Sequence, residues 1–226
     1  MKYNRLYSLL GPALALGLGS LPAMATTLFT DLGSTPPIYD CCTAWTVDGG
    51  SGTPSSSFTV ASLFTVAGSG SLAVDQIDLA MSNASGPDTF YATIALDNSG
   101  TPGAQVAGAL WSPLTTTQAF GDCCALVSIT GITGVILTGG QQYFMILGPL
   151  STSDTSNNAW NWNNQGVAGD IQQSNDGGVT WIDGGSGSTL SAFDVLDSAV
   201  PEPGSLLLLG TGLIAILGVY RRKSTR

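Results

Sequence analysis

The sequence predicts an all-β fold, an antiparallel β-sandwich or jelly roll, and three observations predict it. Residues 58–66, 72–79, 90–96, 104–111, 125–129, 142–147 and 191–195 read as short runs of apolar and β-branched residues. Turn-formers separate them, among them Asp97-Asn98-Ser99-Gly100-Thr101-Pro102-Gly103, Gly139-Gly140 and Asp183-Gly184-Gly185. Nowhere between residues 26 and 198 does an apolar period of 3.6 persist. Many short strands punctuated by Gly and Pro pack as two antiparallel layers.

Taken in order, residues 1–25 have the form of a signal peptide. Lys2 and Arg5 precede an apolar stretch at 6–21, and Ala23-Met24-Ala25 is a small-x-small site for signal peptidase, so the mature chain is expected to begin at Thr26. Residues 26–198 form the expected ectodomain, of a size for one domain. Within it Phe90, Ala92, Ile94 and Leu96 alternate with Tyr91, Thr93 and Ala95, the period of a strand with one buried face. Residues 49–57 and 186–189 read as low-complexity loops too short to separate domains.

The tail, 199–226, stacks three elements: Pro201-Glu202-Pro203, an uncharged run at 205–220, and the basic residues Arg221, Arg222, Lys223 and Arg226. At ~1.5 Å per residue that run spans roughly 24 Å as a transmembrane helix, somewhat short of a ~30 Å hydrocarbon core. The basic tail 221–226 stays cytoplasmic under the positive-inside rule, which places the preceding chain outside. The tripeptide, apolar run and basic cluster in this order resemble the PEP-CTERM sorting signal. The resemblance implies passage through the inner membrane, cutting near Pro201, Glu202 and Pro203 by the membrane protease exosortase, and residence at the cell envelope, surface or extracellular matrix.

Charge excludes several function classes. All six basic residues lie in the two terminal segments, all 15 acidic residues lie between 26 and 203, and the chain has no His. The ectodomain therefore makes no side-chain salt bridge and offers no cations to phosphates, so nucleic acid is not an expected partner. Without His there is no imidazole acid or base, and without Lys no Schiff base. A pair of Asp carboxylates acting on a glycosidic bond is the surviving enzymatic design, and no spacing indicates one. The expectation is a non-enzyme with no cofactor and no metal site; a divalent cation such as Ca2+ is the ligand the acidity would admit.

Cys41-Cys42 and Cys123-Cys124 are two vicinal pairs in an exported domain, where thiols oxidise. Cross-pair disulfides are expected, either 41–123 with 42–124 or 41–124 with 42–123; a four-thiolate zinc site is the alternative. Ser174, Asp176, Gly178, Thr180 and Trp181 match the Asp-box pattern, which is expected to be a hairpin turn rather than a sugar or metal contact. Trp160 and Trp162, two apart, share a strand face. That face is expected to be core; the alternative is an exposed sugar-stacking platform beside Asn161, Asn163, Asn164 and Gln165, with exopolysaccharide as partner.

Residues 64–82, the turn 96–103, Tyr143-Phe144 and residues 160–181 together resemble the choice-of-anchor R domain. That resemblance implies a surface-displayed β-sandwich and brings no catalytic residues. The function expected is a structural or adhesive one at the cell surface or in the matrix, the alternative being a carbohydrate-binding module around Trp160 and Trp162.

Overall fold

The computed structural model of the chain describes residues 26–51 and 56–197. The expected signal peptide with Ala23 and Ala25, the tripeptide Pro201-Glu202-Pro203, the span 205–220 and the basic residues Arg221 and Arg222 lie outside them. Described residues run through strands β1 (Thr27–Thr30), β2 (Ala44–Gly49), β3 (Ser57–Thr65), β4 (Ser71–Leu79), β5 (Met81–Ser85), β6 (Thr89–Asp97), β7 (Pro102–Thr115) and β8 (Val127–Thr130). They continue through β9 (Ile136–Thr138), β10 (Gln142–Gly148), β11 (Asn157–Asn161), β12 (Ala168–Gly169), β13 (Ile171–Ser174), β14 (Ile182–Asp183), β15 (Ser188–Thr189) and β16 (Phe193–Asp197). No described residue is helical.

One sheet has the order β1-β16-β4-β8, with β9 also on β4; the larger has the order β5-β11-β2-β3-β10-β6-β7, with β13 on β3 and β14 on β13. All these strand pairings are antiparallel, as expected for hairpin-rich chains. Strands β12 and β15 pair separately, so the expected loop at 186–189 is partly strand.

The two sheets share one core. Leu28, Val74, Ile77, Leu79, Phe193 and Val195 come from the smaller sheet, and Val60, Phe64, Ile94, Met145, Leu147 and Trp160 from the larger. Phe193 is its hub: its ring lies 4.7 Å from Phe29, 5.5 Å from Phe64 and 5.6 Å from Trp160. Edge-to-face and tilted contacts of this kind add to the apolar area that they bury.

Every run expected from the sequence overlaps an observed strand. The unexpected strands are short or polar, and pairing makes them strands. Asn157–Asn161 has little β character of its own but lies between β2 and β5. The expectation of one buried face at residues 90–96 needs correction. Phe90, Ala92 and Ile94 are core as expected, whereas Leu96 is 47% exposed and Ala95 is buried. The opposite face of the sheet is covered: Ala61, Ala95, Phe144 and Ile146 form a second cluster, with Leu63, Tyr91 and Trp181 against it. Gly148 makes room for this layer, because a Cβ there would meet the Tyr91 ring at 2.5 Å. The turn after β6 closes as its sequence dictates, with Ser99 and Gly100 at positive φ and the Gly100 N–H donating to Asp97 Oδ1 at 2.7 Å.

Phe193→Ala is expected to cost about 3–5 kcal/mol in chemical denaturation, because it empties the junction of the two sheets. Leu110→Ala, at a side chain 53% exposed, is expected to stay within about 0.5 kcal/mol.

Candidate functional site

Three groups of side chains carry the chemistry that the sequence singles out, and a fourth is new. The first is aromatic. Trp160 stands opposite Trp45 in the β11–β2 register, is fully buried, and donates its indole N–H to the Ala192 carbonyl at 3.2 Å. It is therefore core, and the Trp160–Trp162 platform does not form. Trp162 lies just past the end of β11, where its backbone N–H donates to the Thr43 carbonyl at 2.9 Å and its carbonyl accepts from Asp40 N–H at 2.9 Å. Its ring meets Trp45 instead, at 5.5 Å and tilted by 45°, and both indoles are half-buried. Trp45 donates its own indole N–H to the Thr189 carbonyl at 2.9 Å.

The amides beside this pair are mostly committed to the fold. Asn161 donates to the Ala80 carbonyl and to Ser82 Oγ, both at 3.0 Å. Asn163 donates to the Val167 and Leu190 carbonyls at 2.8 Å and accepts from Gln165 N–H and Val167 N–H. Only Asn164 and Gln165 are exposed; Asn164 donates to the Pro37 carbonyl and Gln165 to Asn164 Oδ1.

The Asp box is a turn between β13 and β14. Asp176 accepts from Val179 N–H at 3.1 Å, Thr180 N–H at 2.9 Å and Thr180 Oγ1 at 2.6 Å, while Ser174 Oγ donates to it at 2.7 Å and accepts from Gly178 N–H at 2.8 Å. Gly178 is at positive φ, and Trp181 packs on the cluster around Phe144. The Thr180 hydroxyl and N–H, with Ser174, hold the Asp176 carboxyl down to about 2, so it remains charged at any working pH. The side chains of Ser174, Asp176 and Thr180 all bond within the motif, which is what a turn requires.

The third group is sulfur. Cys41 and Cys123 are bridged, with Cα atoms 5.6 Å apart at a sequence separation of 82. The bridge ties the segment before β2 to the segment before β8. Cys42 and Cys124 are free thiols, Cys42 exposed and Cys124 half-buried, so the expected second bridge is not formed here. Cys124 lies beside the first bridge instead: the sulfur atoms of Cys41, Cys123 and Cys124 lie within 4.8 Å of one another.

The fourth group is a row of carboxyls that sequence reasoning missed. Asp194 in β16 stands directly opposite Asp78 in β4 and, on its other side, opposite Thr30 in β1. Asp31 follows β1 and accepts from Phe193 N–H at 2.8 Å. Asp31 is 2% and Asp78 8% exposed, and Asp31 Oδ2, Asp78 Oδ1 and Asp194 Oδ1 are buried without a hydrogen-bond partner. Burial, and then the Asp194 charge, push Asp31 up to about 8 against the Phe193 N–H; burial, and then Asp78, push Asp194 up to about 7. In sequence Asp78 and Asp194 alternate with core residues and read as solvent-facing. Nothing local reveals that the segment carrying Leu32, Ile38, Tyr39 and Cys41 packs on the adjoining Ala80 and Ala192.

Residues 199–223 match the PEP-CTERM protein-sorting motif. The chain thus carries a PEP-CTERM signal, which implies exosortase-dependent export to the cell surface or envelope, with exosortase as the processing partner. No curated protein and no solved structure matches the chain.

The carboxyl row predicts an inverted pH response. Folded Asp31 and Asp194 hold protons that the unfolded chain releases near pH 4, so their contribution is fully present below that and is lost as pH rises to about 7–8. Each pH unit crossed costs up to about 1.4 kcal/mol per proton held. Thermal melts from pH 4 to 9 are expected to show a falling Tm, and Asp194→Asn to flatten part of the slope.

Proposed function

We propose that the chain is an exported, exosortase-sorted protein whose β domain has a non-enzymatic structural or adhesive role at the cell surface or in the extracellular matrix. The observation that carries this reading is the sorting motif at 199–223 behind a domain without a basic side chain. In this reading residues 1–25 are a signal peptide removed by signal peptidase after Ala25, and 205–220 hold the precursor in the inner membrane until exosortase cuts near Pro201, Glu202 and Pro203. Arg221 and Arg222 keep the tail on the cytoplasmic side.

The domain is best read as a β-sandwich of jelly-roll type similar to the choice-of-anchor R domain, and the core shared by two antiparallel sheets supports this. No cofactor or ion is required by the proposal. A hydrolytic carboxylate pair faces its partner across an open cleft, whereas Asp78, buried, and Asp194, half-buried, are register partners on neighbouring strands of one sheet, which supports a non-enzyme.

A second reading, a carbohydrate-binding module, is favoured by one observation: the Trp45–Trp162 pair stays half-exposed where Trp160 does not. Against it stand the inward-committed amides of Asn161 and Asn163.

In a strain lacking exosortase, or with Pro201, Glu202 and Pro203 all replaced by Ala, the protein is expected to accumulate uncut in the membrane fraction; normal release in both cases would refute the sorting proposal. Trp162→Ala is expected to leave retention on the producing strain's own polysaccharide unchanged. Loss of retention at an unchanged Tm would establish the carbohydrate reading instead.

A further inference from the structure

We propose that Cys41, Cys123 and Cys124 form a thiol–disulfide exchange site in which Cys41 is the shared sulfur and its bond alternates between Cys123 and Cys124. The bridge between Cys41 and Cys123 leaves Cys124 as a free thiol. Its Sγ lies 3.9 Å from Cys41 Sγ, in van der Waals contact with one end of the disulfide. Tyr39 lies on both sides of this arrangement. Tyr39 Oη donates to the carbonyl of Ala125, next to Cys124, at 3.0 Å, and Cys41 Sγ lies 3.6 Å from the Tyr39 carbonyl. Cys41, Tyr39, Ala80 and Ala192 are buried together with Cys124 packed against them, so the central sulfur is the one that water and external thiols reach least.

In the exchange the Cys124 thiolate attacks Cys41 Sγ, the Cys41–Cys124 bond forms as the Cys41–Cys123 bond breaks, and the electron pair leaves on Cys123 as a thiolate that takes up the proton Cys124 gave up. Nothing is oxidised or reduced overall, and no further reagent is needed. The step moves the free thiol from the half-buried Cys124 to the exposed Cys123, which becomes a modification site for thiol-reactive electrophiles. Adjacent cysteines make the exchange possible because either can reach Cys41 while the loop between the pairs stays closed. Exposed Cys42 is outside the cluster and acts as the internal reference for reactivity.

The test uses the exported protein as recovered from the producing cell, alkylated with N-ethylmaleimide, digested with pepsin in acid, which arrests exchange, and mapped by tandem mass spectrometry. Wild type is expected to carry label on Cys42 and, in competing populations, on Cys123 or Cys124, with Cys41 unlabelled. In Cys123→Ser, Cys41 is expected to stay unlabelled and bonded to Cys124; in Cys124→Ser, to stay bonded to Cys123. Label on Cys124 and Cys42 alone in wild type, no label on any cysteine, or a labelled Cys41 in Cys123→Ser would each overturn the proposal. The wild-type map stands on its own should a variant fail to fold.

Discussion

From residue 26 to residue 203 there is no basic side chain, and this constraint governs how the described domain is held together. A carboxylate needs either water or compensation. Backbone N–H groups do the work that lysine and arginine do elsewhere: Cys42 N–H serves Asp40, Gly50 serves Asp48, Gly100 serves Asp97, Ser156 serves Asp154, Thr180 serves Asp176 and Gly185 serves Asp183. Each such bond also closes a turn, so the acidic residues are spent on hairpin geometry. At Asp31 and Asp194 that compensation does not suffice, and burial pushes the carboxyls up to about 8 and about 7.

With ion pairing absent, cohesion falls to apolar packing and the backbone ladder. The aromatic hub at Phe193 sets the distance between the sheets, and Trp160 closes the core beside it. Outside that core lie two covered faces, one under Trp181 and one under Tyr39 and Cys41. The second is held by the Cys41–Cys123 bridge, whose long loop makes it a large constraint on the unfolded chain. The segment it ties down packs on Ala80 and Ala192, each two residues in sequence from one of the paired carboxyls Asp78 and Asp194.

Much of this was legible in the sequence where pattern is local. Alternation at residues 90–96 and the turn 97–103 gave strand and hairpin, and Ser174, Asp176, Gly178, Thr180 and Trp181 gave a turn. What was illegible depends on long-range contact. Asn157–Asn161 becomes a strand only because β2 and β5 flank it. Trp162 lies past the end of β11 and is only half-buried where Trp160 is fully buried, and its ring partner Trp45 lies more than a hundred residues earlier. Asp78 and Asp194 look solvated because each stands between apolar neighbours, and covering segments leave no local signal. At the C-terminal end the sorting signal was readable from the sequence alone, since its three elements are defined by order rather than by fold.

A domain stabilised in this way has no structural use for the basic residues, which are confined to segments that the proposed processing removes. The most direct measurement is the intact mass of the protein recovered from the surface of the producing cell. The account predicts a chain that begins at Thr26 and ends near Pro201 to Pro203, free of every Lys and Arg. A surface protein that still carries Arg226 would contradict it.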